Sequence, residues 1–302
     1  MCARGMRQIV FAALFALAAV AATPAQAQQT QCRTPGYDRA ALDALKAADW
    51  ALANDRARNR LALALADCLG NPDPTLRDGI AFEALAHWLR ARQLSRETML
   101  ALADALEPRL SASDEAGFER PFAALVLSEV ARADRIEAYM TPERRTRLLD
   151  SALAYFAGVT DYRGFDEREG WRHGVAHGAD LLLQLALNPA FGQPELDRIR
   201  EALALQIAPS GHFYSYGESE RIVRPLIFIA QRGVFSADDW RDWLVRNTHV
   251  DADGAFSSQA GLARRHNMMA FLSVLYMQAN LSQNEADNAL LPGAEAALRA
   301  LP

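Results

Sequence analysis

The sequence predicts an all-α protein, an irregular α/α solenoid of HEAT/armadillo-like helix pairs with about 12 helices. Three observations carry that prediction. Apolar residues recur at spacings of three and four along most of the chain, and no run alternates as a half-buried strand does. Helix-start signals punctuate it regularly, and most connectors are short, which favours antiparallel neighbours. Alternate starts at Asp38, Thr75 and Phe118 fall roughly 40 residues apart, the period of such pairs. The repeats share no clear mutual similarity, so a globular helical bundle stays open beside the solenoid.

Residues 1–27 read as a secretory signal peptide: Arg4 and Arg7, an apolar run from Ile9 to Ala22, then the small-x-small site Ala25-Gln26-Ala27. The run is shorter than the roughly 20 residues that span a bilayer; the alternative is an uncleaved anchor. The expected mature chain is one helical-repeat domain over residues 28–302, exported to the periplasm or secreted. Its formal charge moves from −5 to −7 because Arg4 and Arg7 leave. That acidity argues against nucleic acid or an anionic membrane surface as partner, and no later segment is apolar enough to span a membrane. Cleavage also removes Cys2. The remaining Cys32 and Cys68 are free to pair in an oxidising compartment, the alternative being two buried thiols.

Along the mature chain, Asp38 opens a helix carrying Leu42, Leu45 and Trp50, and a second follows over residues 56–68 until Gly70-Asn71-Pro72-Asp73-Pro74. Thr75 is read as the cap of a long helix through Ile80, Leu85, Trp88 and Leu89, and Ser95 as the cap of the next. Thr141-Pro142-Glu143 combines a hydroxyl cap, proline at the first helical position and an acid in the first turn. Ser236 with Asp239, and Ser282 with Glu285, have capping-box spacing.

Two irregular stretches, residues 160–168 and 209–217, stand out as places where function tends to sit. Between them runs GWRHGVAHGADLLLQLAL, residues 170–187. On one helix it would put His173, His177, Asp180 and Gln184 in a narrow stripe opposite Trp171, Val175, Gly178, Leu182 and Leu185. Three chemistries fit the stripe. His173, His177 and Asp180 have the residue types of a divalent-metal site, without the HExxH glutamate, because Gly174 stands in its place. A histidine with a carboxylate suits acid/base work or ligand binding. The plainest possibility is hydrogen bonding to neighbouring helices. Gly170, Gly174 and Gly178, four apart, point to close approach by another backbone or to room left for a ligand. After the second irregular stretch, Glu218 and Glu220 in GESER either cap the following helix or face the histidines. Asp251-x-Asp253-Gly254 reads as a turn rather than a calcium loop.

RGFDEREGWRHGVAHGADLLLQLA, followed about 30 residues later by GESER, resembles the bacterial family called domain of unknown function 2785. The resemblance runs from LRDGIAFEALAHWL onward. It implies an all-helical, repeat-like fold and no activity. Gly170, Trp171, His173, His177, Asp180, Glu218 and Arg221 carry its pattern here. The functional expectation is an exported module with a His/Asp/Glu-lined concave face. Its partner would be a peptide, a glycan, a small polar ligand or a protein. The alternative is a hydrolase-type enzyme, acid/base or divalent-metal-dependent, using His173, His177, Asp180 and Glu218 or Glu220. Trp171, Glu220 and Arg221 complete the candidate set.

Overall fold

The computed structural model describes residues 32–302; the proposed signal peptide lies outside the described residues. The described residues are mostly helical, with 67% of them in helices. It opens with α1 (Arg39–Ala47) and α2 (Asp55–Ala66). Next comes α3 (Pro74–Leu76), which passes through a π-helical stretch, Arg77–Phe82, into α4 (Glu83–Arg90). After α5 (Arg96–Leu106) and a 3-10 turn come α6 (Glu119–Ile136) and α7 (Pro142–Ala157). A two-stranded hairpin, β1 (Phe165–Asp166) and β2 (Gly170–Trp171), leads into α8 (Gly174–Ala186) and α9 (Gln193–Ala204). The remainder is α10 (Glu218–Gln231), α11 (Ala237–Asn247), α12 (Ala252–Ala255), α13 (Gln259–Leu281) and α14 (Leu291–Ala300).

Alternate helices lie side by side: α4 packs on α6, α6 on α8, α8 on α10 and α10 on α13, while α7 packs on both α8 and α9. The reason is visible in burial. Of the thirteen residues of α8, only Asp180 and Gln184 escape full burial, so this helix has neighbours on nearly every side. A helix that is apolar almost all round belongs inside a protein. Large side chains such as Trp88, Phe122, Phe156, Trp240 and Trp243 fill the core between the rows.

The local signals translate into caps. Asp38, Ser95 and Thr141 accept from backbone N–H groups of Ala41, Thr98 and Arg144, and Ser236 with Asp239 forms the expected box. Two expectations are corrected. The cap before the third helix is Asp73, whose carboxylate accepts from Thr75 N, because Pro74 takes the first helical position and Thr75 falls inside. Near the C-terminus Asn284 caps the 3-10 turn, while Ser282 donates to Asp287 instead of boxing with Glu285. Asp251 accepts from Asp253 N as the cap of α12, in line with the turn reading. Cys32 and Cys68 form a disulfide that ties the segment before α1 to the end of α2. Among the described residues no helix is long and apolar enough to cross a membrane.

Candidate functional site

The segment expected as one helix is two structures. Residues 163–173 fold back as a hairpin: Arg172 N donates to Gly164 O (3.0 Å) and His173 N to Arg163 O (3.1 Å). The helix begins only at Gly174. Gly170 sits at φ 74°, and a Cβ there would meet Pro74 Cβ at 2.8 Å and Arg77 Nη2 at 2.9 Å, so this position requires glycine. The hairpin tip is held from below by Arg77, whose Nη2 donates to Glu169 O (2.6 Å). Arg77 is itself fully buried over the rings of Phe118 and Phe122.

His173 is the residue at the junction. Its backbone is left-handed (φ 58°, ψ 41°), a conformation that costs a non-glycine residue about 1–2 kcal/mol. The turn stacks its ring on Trp171, centroid to centroid 4.6 Å, and sets it 5.7 Å from the His177 ring. His177, one helical turn on, meets Phe122 of α6 edge-to-face at 5.2 Å. The two histidines therefore converge as expected, by a different backbone route from the helical stripe.

Beside them opens a cavity of about 730 Å³ whose walls come from α4, α6, α8 and α10. Of the expected residues, Trp171, His173, His177, Asp180, Glu220 and Arg221 line it. The second irregular stretch closes on it through Tyr216 and Gly217, and Tyr216 packs its ring on Gly164 of the first, which Trp171 follows. Asp180 is ion-paired with Arg221 across α8 and α10. Gln184 accepts from Arg135 Nε at 2.7 Å. Glu218 is not a cavity residue: buried, it accepts from Tyr216 N at 2.8 Å and so holds the turn before its own helix, beside Gly217 at φ 84°.

Among the described residues no group of three or more His, Cys, Asp or Glu is placed to hold a metal ion. The reason is the Arg221 guanidinium, which occupies the Asp180 carboxylate, together with the left-handed turn that carries His173 out of helical register.

Both imidazoles are uncharged near neutral pH. Burial pushes His173 down to about 4, aided by the charge of Arg221 and opposed by a hydrogen bond with the Tyr216 backbone. Burial holds His177 well below the usual histidine range, with His173 and Arg221 adding to it. Burial raises the Asp180 carboxyl, against the pull of Arg221. Although His173 and His177 are 7% and 6% exposed, His173 Nε2 and His177 Nδ1 have no hydrogen-bond partner. Buried polar atoms are nearly always paired, so two free ring nitrogens on one cavity are a specific feature.

Three contributors, Glu129, Arg90 and Asp78, escaped the sequence reading. Glu129 of α6 is buried on the cavity wall, ion-paired through Oε1 with Arg90 of α4, and its Oε2 has no partner. Asp78, in the π-helical stretch, pairs with Arg77 at 2.6 Å. A signal for Glu129 existed: it follows Phe122, Leu125 and Val126 at helical spacing, a lone acid on an apolar stripe. π-Helical turns recur at functional sites, and nothing in the residues 77–82 announces one.

The family described as "Protein of unknown function (DUF2785)" matches residues 102–277, and the chain belongs to it. The match begins later than the resemblance seen from Leu76 onward. No curated protein and no solved structure matches the chain.

Proposed function

Taking that family membership as premise, we propose that the chain is an exported module that binds a small polar ligand in the cavity beside His173 and His177. One observation carries the reading: two imidazole nitrogens, more than nine-tenths buried and without partners, line a cavity of ligand size. An unpaired buried polar atom costs about 1–3 kcal/mol. A ligand that pairs with both recovers that cost on binding. The disulfide fits an oxidising compartment. The packing of alternate helices on one another supports the finer view of the fold as HEAT/armadillo-like pairs with the cavity on their inner face.

The test is imidazole-resolved NMR of 15N-histidine protein titrated with a library of small polar compounds. Binding at this site shifts the His173 and His177 ring resonances together. Compounds that move only other resonances, with these two unmoved throughout, would refute the reading.

A second reading, metal-free acid/base hydrolysis, draws on Asp180, whose buried carboxyl is raised and feels the charge of Glu129. It predicts turnover of chromogenic esters or glycosides that Asp180→Asn abolishes while the fold persists. Turnover that survives in Asp180→Asn removes it.

A further inference from the structure

We propose that the cavity takes an uncharged, hydroxyl-rich ring, a sugar of one or two units, with Glu129 as a recognition residue. This deepens the binding reading above and rests on it. The argument starts from what is left unpaired. Among the lining groups, the buried atoms with neither a hydrogen bond nor an ion pair are His173 Nε2, His177 Nδ1 and Glu129 Oε2; Asp78 Oδ1, also without a hydrogen bond, is ion-paired with Arg77. A neutral imidazole nitrogen is a donor in one tautomer and an acceptor in the other, whereas a carboxylate oxygen only accepts. A hydroxyl both donates and accepts at one atom, so adjacent hydroxyls satisfy all three positions whichever tautomers the histidines adopt.

Charge balance points the same way. Asp180 is matched by Arg221, Glu129 by Arg90, Asp78 by Arg77 and Glu83 by Lys46. Of the remaining lining charges, Glu220 and Arg224 form no ion pair among the described residues, but they are opposite in sign and exposed. An ion entering past them would find a floor of uncharged imidazoles and already neutralised pairs. Desolvating it there would go uncompensated. The apolar faces of a sugar ring need a partner too, and Phe122, Trp171 and Tyr216 supply aromatic surface in the same cavity.

The experiment is saturation-transfer difference NMR on the disulfide-intact protein with glucose, mannose, galactose, N-acetylglucosamine, maltose and cellobiose. Glycine, glutamate and succinate serve as charged comparators. The expected result is transfer to the ring protons of at least one sugar. Affinity falls about tenfold or more in Glu129→Gln and in His173→Gln, as the loss of a buried hydrogen bond requires. It is unchanged in Asp242→Asn, an exposed change on α11 outside the cavity. Circular dichroism checks each variant for fold, and His173→Gln decides alone if Glu129→Gln unfolds. The proposal is overturned if no sugar shows transfer, or if transfer persists undiminished in a folded variant of either residue. If the charged comparators shift the His173 and His177 resonances while the sugars do not, the sugar assignment falls and the binding reading stands. If no probe moves them, both fall.

Discussion

A Cβ placed on Gly178 would stand 2.8 Å from Phe156 Cδ2 and 2.9 Å from Tyr155 Cε1, so α8 approaches the aromatic pair of α7 as closely as a glycine allows. The close approach expected from the glycine spacing is made here by side chains rather than a second backbone. Gly178→Ala therefore sets about 1 kcal/mol of helix propensity against overpacking of roughly 1–3 kcal/mol. The expected outcome is a net loss of about 1 kcal/mol in urea denaturation. Adding Phe156→Leu to the alanine variant is expected to cost less than the sum of the two single changes, the mark of coupled neighbours.

Asp134 is the buried joint at the end of α6. It accepts from Tyr139 N, Met140 N, Arg145 and Asn188, at 2.6–3.1 Å. Burial works to raise its carboxyl, but Arg145 and the two backbone donors hold it below the usual range. Asp134→Ala leaves those donors and a guanidinium uncompensated and is expected to cost about 3–5 kcal/mol. Denaturation midpoints against Asp134→Asn, which keeps the shape, check this.

The histidines make stability depend on pH. Below about 6.5 the unfolded chain protonates both rings, while folded His173 stays neutral to about 4 and His177 is likewise held well below the usual histidine range. Protons thus favour the unfolded state, and stability falls as pH drops from 6.5 toward 4, by about 3 kcal/mol at most from His173. The raised Asp180 carboxyl acts in the opposite sense. His173→Gln is expected to flatten the slope between pH 7 and 4.5 in chemical denaturation. An unchanged slope would count against the burial argument.

Reducing the disulfide frees a loop with a sequence separation of 36 residues. Chain entropy assigns that constraint about 3–4 kcal/mol. A thermal melt with and without reductant is expected to show a lower Tm on reduction, and Cys32→Ser/Cys68→Ser should reproduce it.

How much of this was legible follows from where each constraint acts. Caps such as Asp38, Ser95 and Thr141 depend on a few neighbouring atoms, so local sequence announces them. The convergence of His173 and His177 was also visible, because residues four apart meet on a helix and nearly meet across its first turn. The hairpin before Gly174 was not. Helical spacing continues through Trp171, and only the glycine at 170, needed beneath Pro74 and Arg77, marks the break. The partners of the cavity were hidden for a longer-range reason. Arg90, Glu129 and Arg221 come from three helices whose adjacency is a property of the packing. A lone acid in an apolar stripe said that Glu129 needs a partner, but not which one.

The cavity straddles the edge of the stretch that matches the family. Its histidines, Glu129 and the α10 rim lie inside the stretch that matches the family, while Asp78, Phe82 and Arg90 on the α4 side lie before it. Substitutions there alter one wall and leave the imidazoles themselves in place. If the cavity binds a ligand as proposed, exchanging side chains along that one wall is a direct route to altered selectivity.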